Sequence, residues 1–353
     1  MTDVQRRARN ALLGLATGDA IGWPAMFHRS RTLPPWTRRL RREIDGQREE
    51  TGVLRVPMPF SLNQPPETFE LCATDDTEWA AWTMRNLLRH RCLVEAGWVC
   101  DVWVGLAKGG GTVRGGVSTQ AALENLRRGV MPPSSGNDNP HYFDDGAACR
   151  AVPIGIAYAG RTDDATRAAA IDACVTNSED GIWVAQSVAA AISSACAGRG
   201  VSSAIEAAVG ALPPGSWSRR TVLEALKKAG QALPLLALFP SFHAILNPEY
   251  SDGCAGPETL ALSLAIVSRL GDRFDEAVTA ATAFAKSADA VPAIVGAITG
   301  ALAESKPVPV QWESNIAKLR GICLPELAGQ DYIRLVDEFI GACSFNRTNE
   351  VPT

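Results

Sequence analysis

The sequence predicts an all-α protein, and three observations support this. Apolar residues recur at helical spacing through most of the chain, as in the run from Trp79 to Leu88. Runs in which β-branched and polar residues alternate, the signal for strands, are scarce. Alanine and glycine are abundant on the helix faces, which favours helices packed closely together. We therefore expect one compact domain over residues 1–345 and a short tail over 346–353.

The helical patterns follow one another along the chain with short connections. The first covers residues 4–22, and another begins just after Thr74. Between them, residues 29–70 are rich in proline and mixed charges, which predicts an ordered irregular excursion or a lid. The other predicted helices cover about 95–107, 118–129, 182–197, 201–212, 218–231, 257–271, 274–286, 290–304 and 327–341.

Composition narrows the class of protein. The 353 residues are 46% hydrophobic and 20% charged, as in a globular protein, and the net charge of −4 argues against a nucleic-acid partner. Nine cysteines lack any C-x-x-C pair, so the sequence predicts neither a zinc ribbon nor a disulfide framework. With no signal-peptide pattern and no apolar run of membrane-spanning length, we expect a soluble cytoplasmic protein; its oligomeric state stays open.

Thr74-Asp75-Asp76-Thr77 is the densest cluster of hard oxygen ligands in the chain. It directly precedes an apolar helical run, so it marks a helix N-terminus. The helix dipole offsets only part of the repulsion between two adjacent carboxylates, whereas a divalent cation would offset far more. Mg²⁺ commonly takes one or two protein carboxylates, with water and substrate as its other ligands. The competing interpretation is an ordinary helix N-cap.

Several other polar or glycine-rich segments are candidates for contact with a metal or a ligand, and most of them also have a purely structural interpretation. Asp19 lies inside an otherwise apolar helix, where it either approaches a metal or ligand or caps a neighbouring helix. The glycine-rich stretch 109–116 could bring backbone N–H groups to a phosphate or serve as a connector. Asp144-Asp145 is a second acidic pair before an apolar stretch, and Asp289 is an acid or an N-cap at the start of a very apolar helix.

Taken in order, these segments resemble the ADP-ribosylglycohydrolase family, the DraG-like (ADP-ribosyl)hydrolases. The resemblance implies an all-α fold of orthogonally packed helices around a binuclear Mg²⁺ cleft. It also implies hydrolysis at the anomeric carbon of a ribose attached to a protein side chain or a small molecule. The segments that carry it are Gly14–Gly22, Thr74–Thr77, Gly115–Leu126, Asp145–Gly155, Ala255–Leu262 and Ala288–Leu302.

The resemblance, with the residue patterns, gives a set of candidate site residues. The expected metal ligands are Thr74, Asp75, Asp76, Asp289 and Ser287. The expected catalytic residues are Asp76, Asp144 and Asp145. Residues expected to contact the substrate are Asp19, Trp23, Gly115, Gly116, Ser118, Gly146, Ala147 and Asn177.

The chain departs from the family pattern in its late motif, Asp-x-Asp-Thr. The matching residues are Ser287, Ala288, Asp289 and Ala290, so one carboxylate has become a hydroxyl and the threonine oxygen is lost. We therefore predict one tight Mg²⁺ site and a second that is weak or empty. One ion suffices to orient ribose hydroxyls and to activate a bound water.

Three further departures from the family pattern lie outside the late motif. Met26 replaces an acidic residue that often follows the opening motif, and Asn177 replaces a common histidine. Asp145 adds negative charge to the substrate loop, which favours a smaller, less anionic ribosyl substrate over a protein-linked ADP-ribose.

Two functions follow from these observations. The first is a Mg²⁺-dependent glycosidase acting on an ADP-ribosyl conjugate or a nucleoside-like molecule, by a metal-activated water. The second is a pseudoenzyme that keeps the cleft and only binds a ligand or a protein partner. The tryptophans at helical spacing are predicted to belong to the core rather than to a ligand platform; they are Trp79, Trp82, Trp98 and Trp103.

Overall fold

A computed structural model describes most of the chain, and every regular element in the described part is helical. The described residues are 1–22, 50, 71–246, 254–271, 273–288, 290–343 and 345. The helices are α1 (residues 3–22), α2 (Asp75–Arg89), α3 (Ala96–Lys108), α4 (Val117–Arg127), α5 (Ser134–Asn137), α6 (Ala148–Ala157), α7 (Thr162–Ala173), α8 (Asp180–Cys196), α9 (Gly200–Gly210), α10 (Trp217–Ala229), α11 (Leu235–His243), α12 (Gly256–Leu270), α13 (Phe274–Ala281), α14 (Ala290–Leu302), α15 (Val310–Ile316) and α16 (Tyr332–Ala342).

The all-α prediction is confirmed, since the described residues form only isolated β-bridges besides helices. Most predicted helices agree within a few residues. The pattern 274–286 is in fact two elements, α13 and a separate 3-10 turn over Ala285–Ser287. The last helix begins at Tyr332 rather than 327, because the side chain of Asp331 accepts a hydrogen bond from the Arg334 N–H and caps the helix there.

Helix α1 packs against α14 at backbone contact distance. A Cβ atom on Gly14 would lie 2.1 Å from the carbonyl oxygen of Gly296, and one on Gly18 would lie 1.9 Å from that of Pro292. No side chain fits there, so the glycines of α1 are what allow the two helices to touch. This agrees with the close helix packing predicted from the abundance of small residues on the helix faces.

The described helices α8, α12 and α14 form the centre of the core. Every residue of α14 is buried, and so are nearly all residues of α12. Small residues allow the same close packing elsewhere: a Cβ on Gly155 of α6 would lie 2.7 Å from the Ala189 carbonyl oxygen of α8. In the described part, no helix combines the length and the apolar character needed to span a membrane.

The predicted core tryptophans are confirmed as core residues. Trp79 stacks on Trp103 with ring centroids 5.6 Å apart, and Trp82 meets Trp103 edge-on at 4.9 Å. All three are buried. Trp98 is partly buried and stacks on His90. This aromatic cluster fixes α2 against α3, so it holds the helix that begins with the acidic motif.

Candidate active site

The acidic motif begins α2 and is capped from beneath by Asp19 of α1. The Asp19 carboxylate accepts hydrogen bonds from the Thr74 N–H at 2.7 Å, from the Thr77 N–H at 3.1 Å and from the Thr77 hydroxyl at 2.5 Å. The Thr74 hydroxyl also donates to it. Burial raises the pKa of Asp19 to about 6, although these four hydrogen bonds oppose the shift. The structure thus shows the capping role that the sequence left open.

Asp75 and Asp76 form the first turn of α2 and are only partly buried. Two buried thiols lie beside them. Burial is the largest cause that raises the pKa of the Cys149 thiol of α6 well above its ordinary value, and the Asp76 carboxylate is the second. Burial is also the largest cause that raises the pKa of the Cys323 thiol, and the Asp75 carboxylate is the second. The acidic pair therefore lies between the start of α6 and the loop that contains Cys323.

Glu78, which sequence analysis did not single out, holds that loop. Its carboxylate is fully buried and accepts hydrogen bonds from the backbone N–H groups of Ile322 at 2.7 Å, Cys323 at 2.7 Å and Leu324 at 3.1 Å. A carboxylate bound by three N–H groups strongly fixes the chain that supplies them. The signal available in the sequence was a third acid within the first turn of the same helix.

Asp144 lies among four other predicted site residues. Its carboxylate accepts hydrogen bonds from the Ser118 hydroxyl at 2.7 Å, the Asn177 side-chain amide at 2.9 Å and the Gly146 N–H at 3.1 Å. Gly116 lies beside it, since a Cβ there would be 3.4 Å from Asp144 Oδ2. Burial raises the pKa of Asp144. The structure therefore gathers these predicted residues around one buried carboxylate.

Asp145 faces α12. Its Oδ2 accepts a hydrogen bond from the Thr259 hydroxyl at 2.6 Å, and its backbone N–H donates to the Cys254 carbonyl at 2.9 Å. A β-bridge between Asp144 and Ala255 runs alongside. The substrate loop predicted from sequence is thus tied to the start of α12, a partner that local sequence patterns did not indicate.

A buried arginine supports the same loop. Arg150 is fully buried and forms an ion pair with Asp172 at 2.8 Å. It also donates to the Gly146 carbonyl at 3.0 Å and to the Thr176 hydroxyl at 2.8 Å, and its guanidinium lies 4.9 Å from the Trp103 ring centroid. Ala147, a predicted substrate contact, is buried directly before α6. Gly115, the remaining glycine of the predicted set, packs against Thr119.

The late motif lies at the junction of the 3-10 turn and α14. Ser287 is fully buried, and Ala290, the first residue of α14, is also buried. Lys286, directly before Ser287, forms an ion pair with Glu258 of α12 at 2.6 Å, and both side chains are largely buried. Asp289, like Trp23 and Met26, lies outside the described residues.

The donor atoms at the start of α2 fit a hard cation. They are carboxylate and hydroxyl oxygens, the ligands that Mg²⁺ prefers, and Asp75 and Asp76 retain access to solvent. Within the described residues, no three His, Cys, Asp or Glu side chains are grouped so as to hold a metal ion. The third predicted carboxylate, Asp289, is outside that set. The late-motif positions fit a second ion poorly, because Ser287 is neutral and Ala290 has no oxygen in its side chain.

Comparisons with known proteins identify the family. The family model described as ADP-ribosylglycohydrolase matches residues 1–346. A solved structure titled "ADP-ribosylglycohydrolase-related protein complex" is similar in fold, with a TM-score of 0.62 and 21% sequence identity over 98% of this chain and 100% of that one. No curated protein matches the sequence significantly. The described fold and the match over nearly the whole chain show that this protein belongs to the ADP-ribosylglycohydrolase family.

Proposed function

We propose that the protein is a Mg²⁺-dependent hydrolase that cleaves a glycosidic bond at the anomeric carbon of a ribosyl substrate. The substrate is an ADP-ribosyl conjugate or a nucleoside-like small molecule. Membership of the family supports a hydrolase of the ADP-ribosylglycohydrolase type. The cation, the substrate and a cytoplasmic location are part of the proposal.

The observation that best supports the proposal is that two adjacent residues of α1 contact the starts of two different helices, α2 and α14. Gly18 touches the Pro292 carbonyl oxygen near the start of α14, and Asp19 caps the start of α2. The acidic motif and the helix that follows Asp289 therefore meet at one point of α1, although more than two hundred residues separate them in sequence. Carboxylates kept together in a partly buried site are costly without a cation.

Thr74, Asp75, Asp76 and Asp289 would hold one Mg²⁺, with Ser287 as a weak ligand to a second. When bound, the ion supplies a Lewis acid that orients ribose hydroxyls and lowers the pKa of a coordinated water. Asp19 accepts hydrogen bonds from the N–H and hydroxyl groups of both threonines, which favours its ionised form and keeps both hydroxyls turned towards α1. The oxygen lone pairs of Thr74 that face away from Asp19 are then available to the cation.

The chain's acids have different roles in this proposal. Asp144 positions the substrate loop, because its oxygens already bind Ser118 and Asn177 and it is almost fully buried. Asp145, on the same loop, is the candidate proton acceptor, and the Thr259 hydroxyl holds its carboxylate in place. Asn177 and Ser118 keep the loop and the start of α4 together, so they act on the substrate through Asp144.

The second candidate function is that of a pseudoenzyme that binds a ligand or a protein partner without turnover. The observation in its favour is the late motif, where the buried Ser287 hydroxyl and the Ala290 methyl group stand in for a carboxylate and a threonine. Beside them, the Lys286 ammonium is already held in a largely buried ion pair with Glu258.

A turnover panel separates the two functions. Purified full-length protein is incubated with ADP-ribosyl-arginine, ADP-ribosyl-serine, O-acetyl-ADP-ribose and simple nucleosides, each with Mg²⁺ or with EDTA. The hydrolase proposal predicts release of the free ribosyl product from at least one compound with Mg²⁺ and none with EDTA. If every compound survives while several raise the melting temperature, the pseudoenzyme function is the correct one.

A further inference from the structure

Two cysteines far apart in sequence meet beyond the C-terminal end of α2, the end opposite the acidic motif. Cys92 lies in the turn that follows α2, and Cys343 is the residue at which α16 ends. Their Sγ atoms are 3.4 Å apart and both residues are buried. A spacing of 251 residues made this pair invisible to sequence patterns.

We propose that Cys92 and Cys343 are a site of oxidative modification, at which a peroxide converts the two thiols to a disulfide. One thiolate attacks a peroxide oxygen to give a sulfenic acid with release of the reduced oxygen as water or alcohol. The second thiolate then attacks that sulfur, forms the S–S bond and displaces hydroxide, which leaves as water. Two thiols are oxidised for each peroxide reduced.

The geometry allows this bond with little movement. The two sulfur atoms are only about 1.4 Å farther apart than the length of a disulfide bond, so the two side chains need only a small approach. The hydrogen bond between the thiols and their burial raise the pKa of Cys343, which makes its thiolate scarce and the oxidation slow. Because both thiols are buried, the oxidant must be a small one that enters the protein. Cys196 of α8 is the competing partner, since its fully buried thiol also lies near Cys343.

The bond would fasten α16 to the far end of α2, the helix that begins with the acidic motif. Helix α16 packs along α2, and Tyr332 at the start of α16 donates a hydrogen bond to the Leu12 carbonyl of α1 at 2.9 Å. A disulfide at the other end of α16 would fasten that end to the turn that follows α2. This inference does not depend on the proposed hydrolase activity.

Peptide mapping of the full-length wild-type chain tests the proposal. The folded protein is treated with hydrogen peroxide, the remaining thiols are alkylated, and the digest is analysed without reductant. The expected result is a peptide pair that joins Cys92 to Cys343 and disappears after reduction. We also expect oxidation to raise the melting temperature by about 3–8 °C, and reductant to reverse the rise.

Controls make the outcome specific. Cys92→Ser and Cys343→Ser should each remove the peptide pair and the temperature shift, whereas Cys174→Ser, which changes a partly buried thiol at the end of α7, should keep both. The proposal is overturned if peroxide leaves both thiols open to alkylation, if Cys343 pairs with Cys196 instead, or if the same pair forms equally in urea. Because the wild-type map alone decides, a serine variant that fails to fold does not affect the test.

Discussion

The carboxylate of Asp19 accepts hydrogen bonds from both the backbone N–H and the hydroxyl of Thr74, so α1 directly fixes the start of α2. Replacing Asp19 with asparagine would remove the charge and turn an N–H₂ group towards these donors. We expect Asp19→Asn to lower the free energy of unfolding by about 2–3 kcal/mol, measured by urea denaturation at pH 7. A variant of normal stability that has only lost ligand binding would show that Asp19 contacts the substrate rather than the motif.

The close contact between α1 and α14 predicts the effect of a single methyl group. In Gly18→Ala the new Cβ would meet the Pro292 carbonyl oxygen at 1.9 Å, and a backbone atom cannot rotate away. We expect the free energy of unfolding to fall by about 1–3 kcal/mol. We also expect weaker Mg²⁺ binding, because the acidic motif at the start of α2 and the start of α14 are pushed apart.

Gly105→Ala provides the matched control for that substitution. Gly105 is also inside a helix, but a Cβ there would meet no atom within 4 Å. Its stability should stay constant or rise by about 0.5–1 kcal/mol. Equal effects of the two substitutions would show that the contact between α1 and α14 does not determine the site.

Glu78 predicts local rather than global change. In Glu78→Gln the single amide oxygen cannot accept all the hydrogen bonds that the carboxylate now takes from Ile322, Cys323 and Leu324. We expect the free energy of local opening at those three amides to fall by about 2 kcal/mol, which would appear as faster hydrogen exchange confined to them. Unchanged exchange at these amides would contradict the role assigned to Glu78.

The Lys286–Glu258 ion pair predicts a strong coupling. Lys286→Met would leave the Glu258 carboxylate without this partner in a largely buried position. We therefore expect the free energy of unfolding to fall by about 2–4 kcal/mol. Adding Glu258→Gln to Lys286→Met should restore about 1–2 kcal/mol, because the buried charge is then gone as well. A double-mutant cycle in urea measures the coupling, and strictly additive losses would exclude it.

Sequence patterns predicted the helical fold well because amphipathic spacing is a local property. The acidic motif and the glycines of α1 were recognisable for the same reason, as a helix start and as a small-residue face. The sequence patterns did not single out α7, α11 and α15. Helix α7 is rich in alanine and polar residues, α11 contains Pro240, and α15 has only 7 residues.

The parts of the site that sequence did not reveal depend on contacts between distant segments. Glu78 binds a loop more than two hundred residues away, and Thr259 reaches Asp145 across 114 residues. Asp144 was predicted to be catalytic together with Asp145, and that role stays a prediction; only the structure shows that its oxygens bind Ser118 and Asn177. Local patterns indicate which residues are polar, whereas the fold decides which of them face one another.

The most direct test of a cation between the acids is a calorimetric titration of the metal-free protein with Mg²⁺. The account predicts one tight site in the wild type, its loss in Asp76→Asn, and no change in Asp163→Asn, which alters an acidic pair at the start of α7 instead. No binding to the wild type, or equal binding to Asp76→Asn, would contradict it.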